Sequence, residues 1–291
     1  MKRLIIRCCQ VVFIASLIIA GTVAAVYGVS RKTLASTAWQ TLGSKAASAD
    51  NPTVAKKAEA KQTMIESIQA IATNYPSVET SVSVIDLNSG EQTDIGENAA
   101  FTAASTTKVL TAAAYMQLID QGKASLQTTI SGASAKNLLQ RMLNMSDNTA
   151  WAALNDYIGK ASLQTYADSL GLTSYAAATN TITAHDEAQL MAKLYKNELT
   201  TAAHTQLLFS YMHNTNNEDL IPAAMPTDAT IYHKYGYLGG ELHDAAVVTY
   251  QGHHFVLVIF TKNSTGTLDD YTERTQLFHS ITDNVLAYIA A

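Results

Sequence analysis

The sequence predicts an α+β fold: a five-stranded antiparallel sheet with the two terminal helices on one face and an all-helical block on the other. Short alternating or fully apolar runs, which are typical of strands, occur in two groups, 81–95 and 231–262. Apolar residues at helical spacing fill the region between them, from 124 to 228. They also flank the two groups of strands, at 64–72 and 271–289. The predicted order is therefore helix, two strands, helices, three strands and helix.

The first part of this domain contains a helix that Asn74-Tyr75-Pro76 ends. Two strands follow, SVSVIDL and a run near 92–95, with a turn at Asn88-Ser89-Gly90 between them. The next segment, 101–122, reads as a helix that is apolar on nearly every side. Because it has no polar face, this helix is expected to be buried in the middle of the domain.

The last part contains three consecutive strands, IYHKYGYL, ELHDAAVVTY and HFVLVIFTK, with glycine-containing turns between them. The run from Phe255 to Phe260 is apolar on both faces, so it is predicted to be a central strand. An amphipathic helix from about Tyr271 to Ile289 follows the strands. No internal repeat is visible.

The first 32 residues differ from the rest of the chain. Three basic residues precede an uncharged run, Cys8 to Ser30, that is long enough to span a bilayer. We therefore expect residues 1–32 to form a cytoplasmic tip and a single-pass transmembrane signal anchor in the cell membrane. The rest of the chain would be extracytoplasmic. Cleavage near Ala24 and Ala25 is the competing outcome.

Beyond this segment, residues 33–53 are rich in Ala, Ser, Thr and Lys and are predicted to form a flexible tether. Residues 54–291 would form the globular domain, without disulfides because both cysteines, Cys8 and Cys9, lie in the predicted anchor. After the first 32 residues the chain holds 14 basic residues against 24 acidic ones, a formal charge of −10. Such a surface excludes nucleic acid as an expected partner.

Ser105 and Lys108 lie three residues apart at the start of the predicted buried helix, and therefore on one face. A lysine is almost never fully buried without a partner. Desolvation would lower its pKa and free it to act as a base. The alternative is a lysine whose amine extends to solvent at the helix end.

Two further motifs are expected near Ser105. Ser146-Asp147-Asn148 joins two helices of the block, and Lys234-Tyr235-Gly236 lies on the first strand after it. Ser-x-x-Lys, Ser-Asp-Asn and Lys-x-Gly in this order resemble the motifs of class A β-lactamases and penicillin-binding DD-peptidases. The resemblance covers roughly residues 60–291 and implies the β-lactamase/transpeptidase-like fold.

The resemblance also implies a serine acyl-enzyme mechanism that needs no metal and no organic cofactor. Ser105 would attack an acyl carbon, and Lys108 would accept or relay its proton. Ser146 would pass a proton to the leaving nitrogen. Lys234 would hold the substrate carboxylate electrostatically and bias Ser146.

The same resemblance implies four substrate-binding positions. Asn148 would hydrogen-bond Lys108 or the substrate amide. The backbone N–H groups of Ser105 and Tyr237 would form an oxyanion hole. Tyr235 and Gly236 complete the strand motif, although Tyr235 replaces the usual threonine, a small hydroxyl residue that helps bind the substrate carboxylate.

A second departure concerns the loop that carries a catalytic glutamate in class A β-lactamases. The corresponding segment here, Leu172 to Ile182, contains no acidic residue. Asp186 and Glu187 follow at a helix start, where acidic residues are expected for the helix dipole alone. Because nothing evident activates water, we expect slow deacylation.

Other kinds of site are less well supported by the sequence. Eight histidines make a Ser-His-Asp hydrolase conceivable, but the chain has no Gly-x-Ser-x-Gly elbow. His233 and His243 occupy predicted strand positions beside the cleft, which accounts for them without a role in a Ser-His-Asp triad. His253-His254 lacks the spacing of a zinc-binding His-Glu-x-x-His helix.

The sequence therefore predicts a membrane-anchored, monomeric serine acyl-enzyme that acts on β-lactams or D-Ala-D-Ala-type peptides. The alternative is a catalytically weak or inactive surface-anchored module that binds cell-wall peptides on the same fold.

Overall fold

The computed structural model describes residues 52–291. Residues 60–291 form one compact unit, and the first helix (Pro52–Thr73) starts before it. The predicted anchor, 1–32, lies outside the described residues, as does the predicted tether except for its last two positions, which are helical. Within 52–291, no helix is both long enough and apolar enough to cross a membrane.

The elements follow the predicted order of helix, two strands, helices, three strands and helix. Very short strands and one 3₁₀ turn (Pro222–Ala224) occur among the longer elements. In chain order the helices and strands are α1 (Pro52–Thr73), β1 (Val78–Asp86), β2 (Gln92–Gly96), β3 (Phe101–Thr102), α2 (Lys108–Asp120), β4 (Thr129–Ile130), β5 (Ala133–Ser134), α3 (Ala135–Asn144), α4 (Asn148–Ile158), α5 (Lys160–Ser169), β6 (Thr181–Ile182), α6 (Ala184–Tyr195), α7 (Ala202–Tyr211), β7 (Thr230–Leu238), β8 (Glu241–Tyr250), β9 (His253–Asn263) and α8 (Tyr271–Ile289).

Five strands form an antiparallel sheet in the order β2-β1-β9-β8-β7. The apolar run from Phe255 to Phe260 lies in β9, which is the central strand, as the sequence predicts. Val258 is opposite Ser83 on β1 and Ala245 on β8, which fixes the register of the middle of the sheet. β7 is an edge strand, so the backbone groups along its outer side are not used by the sheet.

Side chains of the sheet alternate between two hydrophobic clusters, because successive residues of a strand point to opposite faces. On one face, Leu257 and Ile259 pack with residues of α1 and α8 such as Met64 and Phe278. On the other face, Val256, Val258 and Phe260 pack with the buried residues of α2 and α6. The predicted arrangement, with the terminal helices on one face and the helical block on the other, is confirmed.

The start of the buried helix differs from the expectation. The sequence predicts one helix over 101–122, but α2 begins only at Lys108. Phe101 and Thr102 instead form β3, which pairs with β6 (Thr181–Ile182). Local apolar spacing does not reveal a strand partner that lies so far along the chain, so Ser105 is found in the turn before the helix.

Candidate active site

Ser105 lies in the turn between β3 and α2 and is partly accessible to solvent. It lines a cleft of about 370 Å³ between the helical block and the edge of the sheet. The preceding residue, Ala104, has a left-handed backbone with φ of 51°. A non-glycine residue in this region is uncommon and is often found near functional sites. The turn therefore presents Ser105 to the cleft in an unusual backbone conformation.

Asn180, just before β6, holds this turn in place. Its Nδ2 donates to Ala104 O at 2.8 Å, and its Oδ1 accepts from Thr107 Oγ1 at 2.6 Å. The backbone N–H of Ala103 donates to Asn180 O at 2.8 Å. Asn180 thus donates one hydrogen bond to the turn that carries Ser105 and accepts two from it. Nothing in the sequence marks Asn180, because its role depends on the long-range pairing of β3 with β6.

Gly236 on β7 lies against the same turn from the other side. A Cβ built on Gly236 would be 2.7 Å from Ser105 N and 3.1 Å from Ala103 O. Atoms that close would overlap, so only glycine allows β7 to approach Ser105 in this way. The predicted motif residue Gly236 is therefore explained by packing against the candidate nucleophile.

The outer edge of β7 faces the cleft. His233 N donates to Met212 O at 2.9 Å, a partner that is not part of the sheet. Because backbone N–H groups of a strand alternate in direction, those of Tyr235 and Tyr237 are on the same outer edge. Tyr237 N–H and Ser105 N–H, the predicted oxyanion-hole donors, are therefore on segments that touch each other at Gly236.

Lys108 is fully buried at the first position of α2 and bonds to the Ser-Asp-Asn motif. Its Nζ donates to Ser146 O at 2.7 Å, to Ser146 Oγ at 3.2 Å and to Asn148 Oδ1 at 2.7 Å. Burial lowers the pKa of Lys108 to about 8, and the nearby Asp147 carboxylate partly opposes this shift. An appreciable fraction of this lysine is therefore neutral near pH 8 and able to accept a proton.

The Ser-Asp-Asn motif connects α3 to α4 through a left-handed residue, Ser146, whose φ is 54°. Asp147 caps α4 by accepting from the backbone N–H groups of Thr149 and Ala150, at 2.8 and 3.0 Å. Its carboxylate also pairs with Arg141, with 2.9 Å to Nε. The hydrogen bond from Ala150 and the Arg141 contact hold the pKa of Asp147 below its usual value, against a smaller effect of burial. These contacts fix Ser146 and Asn148 on the side of the cleft near Lys108.

Lys234 is fully buried on β7 behind the cleft. Its Nζ donates to Tyr235 O at 2.8 Å and lies 4.1 Å from the centroid of the Tyr235 ring. Desolvation, and then the charge of Lys108, lower the pKa of Lys234 well below the usual value, while Asp244 opposes the shift. The structure therefore places this amine beside Tyr235, and its hydrogen bond goes to the strand backbone rather than to Ser146.

The hydroxyl of Tyr235 is bonded within the protein and is not free to bind a substrate as a small hydroxyl residue would be. The side chain of Tyr235 is buried, and its hydroxyl donates to Asn216 Oδ1 at 3.1 Å. Burial raises the pKa of this phenol, while hydrogen bonds with Asn216 and Ser146 lower it. Asn216, in the loop between α7 and the 3₁₀ turn, also lines the cleft and is not marked by any motif. The only feature of the sequence that could have indicated Asn216 is its position in a polar run, His213 to Asn217, in the segment that leads to β7.

A buried ion cluster supports β7 behind the site. His233 Nδ1 lies 2.9 Å from Asp244 Oδ1, and His233 Nε2 lies 3.2 Å from Glu218 Oε1 and 3.0 Å from Thr215 Oγ1. Burial alone would lower the pKa of His233, but the Asp244 and Glu218 carboxylates raise it to about 9. His233 is therefore a charged structural residue, next in sequence to Lys234. It fixes the loop that carries Asn216.

His243, on the neighbouring strand, has the opposite electrostatic environment. Its Nδ1 accepts from the backbone N–H of Thr261 at 3.2 Å, so its Nε2 carries the proton and donates to Thr102 O at 2.9 Å. Burial lowers the pKa of His243 to about 4. This neutral ring connects β8 to β3, so both histidines are explained by the fold, as the sequence suggests.

Glu187 lies at the start of a helix, as the sequence predicts, but its burial is not expected from the helix dipole alone. It is fully buried in the first turn of α6, and neither carboxylate oxygen has a hydrogen-bond partner among the described residues. Burial, and then the neighbouring Asp186, raise the pKa of Glu187 to about 8. Asp186 instead accepts from Ser174 N and Ser174 Oγ, at 2.8 and 2.6 Å. Neither acid lines the cleft.

The structure thus gathers all the predicted site residues around one cleft. The lining includes Ser105, Ser146, Asn148, Tyr235 and Tyr237. Lys108 and Lys234 lie directly behind this lining, and Gly236 packs against Ser105 N. Asn216 and Asn180 are the two residues of the site that sequence reasoning missed.

A model of the beta-lactamase enzyme family matches residues 63–289. The chain belongs to this family. It is accordingly a serine hydrolase, as the three motifs predict. No curated protein matches the chain significantly.

Several solved structures have the same fold. PBP-A is 24% identical with a TM-score of 0.71, over 77% of this chain and 94% of that one. A mutant of PBP-A, solved as an acyl-enzyme complex with penicillin G, gives the same identity and TM-score over 77% and 97% of the two chains. A beta lactamase from Xanthomonas campestris is 20% identical, with a TM-score of 0.71 over 78% and 99%. At these identities the structures establish the shared fold.

Proposed function

We propose that this protein is a membrane-anchored, penicillin-binding acyl-enzyme that uses Ser105 as its nucleophile and releases the acyl group slowly. One observation carries the proposal. Ser105 shares a cleft with Ser146 and Asn148, both bonded to the buried amine of Lys108, and none of the residues lining that cleft is acidic. The cleft therefore has a nucleophile and a base but no carboxylate to activate water.

Acylation would proceed through Lys108 and Ser146. The neutral amine of Lys108 takes the Ser105 proton while Ser105 Oγ bonds to the carbonyl carbon of the substrate. As the tetrahedral intermediate collapses, the carbon–nitrogen bond breaks and Ser146 donates its hydroxyl proton to the leaving nitrogen. The Lys108 ammonium, 3.2 Å from Ser146 Oγ, then returns a proton to Ser146. Both groups end in their starting protonation states.

The substrate carbonyl and carboxylate would be bound by different parts of β7. The N–H groups of Ser105 and Tyr237 would stabilise the negative oxygen of the intermediate. Lys234 would attract the carboxylate by charge. Because the Tyr235 hydroxyl is already bonded to Asn216 at 3.1 Å, it would contribute less to this carboxylate than a free small hydroxyl would. We infer that the substrates are β-lactams or D-Ala-D-Ala-type peptides.

Deacylation would be slow because water has no general base. A positioned general base contributes about 10²–10⁴ in rate. Asp186 and Glu187 are the acidic residues that follow the predicted loop. Asp186 is bonded to Ser174, and Glu187 is buried without a polar partner among the described residues. The acyl-enzyme should therefore persist for minutes or longer.

The test is intact mass spectrometry of the full-length chain in detergent, after mixing with benzylpenicillin and then removing the free drug. We expect an added mass equal to one penicillin, which persists for minutes or longer and is absent in Ser105→Ala. Rapid return to the unmodified mass with many turnovers would contradict slow deacylation. Reversible binding without any added mass would favour the alternative, a non-catalytic binding module.

Membrane anchoring is proposed from the sequence of residues 1–32. The uncharged run Cys8 to Ser30 is flanked on both sides by basic residues, as in single-pass anchors. Full-length chain should fractionate with membranes after export, whereas a variant lacking residues 1–32 should not. A mature chain that starts near Ala25 would instead show that the segment is a cleaved signal peptide.

A further inference from the structure

The cleft that holds Ser105 has no charged side chain in its lining. Within the part of the chain that the structure describes, the lining is formed by hydroxyl, amide, aromatic and aliphatic residues and one glycine. A carboxylate that enters such a cleft loses hydration without gaining a direct contact with a cation. Any charge that attracts it must therefore act from behind the lining.

Lys234 is one such charge, and Tyr235 covers it. The Lys234 side chain is fully buried, its Nζ donates to Tyr235 O at 2.8 Å, and this amine lies 4.1 Å from the centroid of the Tyr235 ring. The Tyr235 hydroxyl donates to Asn216 Oδ1, so it is not free to bind a carboxylate either. The attraction proposed for Lys234 thus acts through a bonded tyrosine and without a contact.

Carboxylates near Lys234 reduce this attraction further. Asp244 is fully buried on β8, directly opposite Tyr235, and its Oδ1 lies 2.9 Å from His233 Nδ1. On its other side, His233 Nε2 lies 3.2 Å from Glu218 Oε1. Even when His233 and Lys234 are both protonated, these two carboxylates balance their charge. The group behind the edge strand therefore presents no net positive charge to the cleft.

Lys108 does not supply the missing charge. Its Nζ donates to Ser146 O and to Asn148 Oδ1, both at 2.7 Å, and its amine has to be neutral when it accepts the Ser105 proton. The polar side chains that do line the cleft, such as Ser146, Asn148 and Asn216, have hydroxyl or amide groups. These groups both donate and accept hydrogen bonds, and an uncharged amide does the same.

We propose that the cleft accepts an uncharged amide on the nitrogen side of the bond that is broken, and that a free carboxylate there contributes little to acylation. This inference rests on the proposed function and defines its substrate class. In a peptide, such an amide is present when the chain continues beyond the residue that follows the broken bond. The acyl donors thus include internal peptide bonds as well as C-terminal ones, and Tyr235 is a specificity-determining residue.

The experiment compares second-order acylation rates of the full-length protein with benzylpenicillin and with its carboxamide, in which an uncharged amide replaces the carboxylate. Intact mass spectrometry follows the added mass, and each rate is divided by the rate of alkaline hydrolysis of the same compound to correct for intrinsic reactivity. We expect the two corrected rates to agree within about tenfold, because a charge that is attracted without contact adds little. A site that binds the carboxylate directly would make the carboxamide react about 100-fold more slowly.

Tyr235→Thr tests the residue that covers Lys234. Threonine removes the ring and its bond to Asn216 and supplies a small free hydroxyl. The preference for benzylpenicillin over the carboxamide should therefore be at least about fivefold larger in this variant than in wild type. Tyr157→Thr, at an exposed position that does not line the cleft, is the matched control and should keep the wild-type ratio. Circular dichroism confirms that both variants are folded before their rates are compared.

The possible failures can be told apart. A carboxamide that reacts more than about tenfold more slowly than benzylpenicillin with wild type would overturn this inference and leave the acyl-enzyme function standing. An unchanged ratio of rates in folded Tyr235→Thr would overturn the role assigned to Tyr235. Absence of any added mass at Ser105 with both compounds would overturn the proposed function itself.

Discussion

The hydroxyl of Tyr235 donates a hydrogen bond to Oδ1 of Asn216 across 3.1 Å, and this bond joins the edge strand to the loop that precedes it. Asn216 also reaches the helical block, since its N–H donates to Asn144 O at 3.1 Å and its Nδ2 donates to Met145 O at 3.2 Å. One asparagine therefore connects the two walls of the cleft. Tyr235, the middle residue of the Lys-x-Gly motif, therefore has a structural partner.

Tyr235→Phe should loosen this connection. The variant keeps the ring but leaves Asn216 Oδ1 without its donor, which should cost about 1 kcal/mol of unfolding free energy. The acylation rate with benzylpenicillin should fall as well, because Ser146 loses a neighbouring hydroxyl. Urea denaturation and acylation kinetics would measure both effects. Tyr157→Phe, which removes the hydroxyl of a ring that is 43% exposed and does not line the cleft, is the matched control and should change neither. A Tyr235→Phe variant equal to wild type would refute the connection.

Acylation should depend on the protonation of Lys108. Burial lowers the pKa of Lys108 to about 8, so the acylation rate should rise with pH, with a midpoint near 8, and level off above it. Asp147 raises this pKa, so Asp147→Asn, which retains a good helix-capping residue, should move the midpoint to lower pH. Lys108→Arg should be nearly inactive because a guanidinium stays protonated. A rate that is constant between about pH 6 and 10 would show that another base is used.

The stability of the protein should depend on His233 at alkaline pH. The folded pKa of His233, about 9, is above the unfolded value of 6.5. Its stabilising effect is therefore complete below pH 6.5 and is lost as pH rises towards 9. His233→Gln should flatten this part of the stability curve in urea denaturation, whereas His253→Gln, at an exposed position, should not. A wild-type curve that shows no His233-dependent fall across this range would contradict the buried ion cluster.

His243 should make the folded protein less stable at acid pH. Its folded pKa of about 4 is below the unfolded 6.5, so the unfolded chain binds more protons between these values. Stability should therefore fall as pH decreases from 6.5 to 4, and His243→Gln should reduce that slope. An unchanged slope in the variant would show that carboxylates alone cause the acid-side loss.

Glu187 should destabilise the fold when it ionises. Because its folded pKa is about 8 and its ordinary value is 4.5, stability should fall as pH rises through this range. Glu187→Gln should be more stable than wild type at pH 8.5 by on the order of 1–3 kcal/mol, and close to it at pH 5. The lifetime of the acyl-enzyme should be unchanged. A much longer lifetime in Glu187→Gln would instead identify Glu187 as the group that activates water.

The sequence predicted the strands well because their signal is local. The continuous apolar run of Phe255 to Phe260 predicts a strand that is buried on both faces, and this strand is the central one of the sheet. The three motifs also led to one cleft, since their order fixes which elements carry them. The strand predictions needed only spacing and residue type, whereas the site prediction also rested on the resemblance of the three motifs to those of a known family.

The remaining features depend on contacts between distant segments. The turn around Ser105 is set by β3 pairing with β6, and by Asn180 binding Ala104 and Thr107. The burial of Glu187 depends on how α6 packs on the sheet, which its position in the first helical turn does not reveal. Asn216 acquires its role only when the helical block and the edge strand are brought together.

The close approach of Gly236 to Ser105 restricts which amino-acid substitutions this enzyme can accept. A single-nucleotide change in a glycine codon replaces it with alanine or something larger, and even the first added carbon would lie 2.7 Å from Ser105 N. Any substitution of Gly236 would therefore displace the backbone of Ser105, and we do not expect the enzyme to tolerate it. Met145, Tyr237 and Leu238 line the same cleft with side chains that are more than half exposed, so substitutions there leave the close approach of Gly236 to Ser105 unchanged.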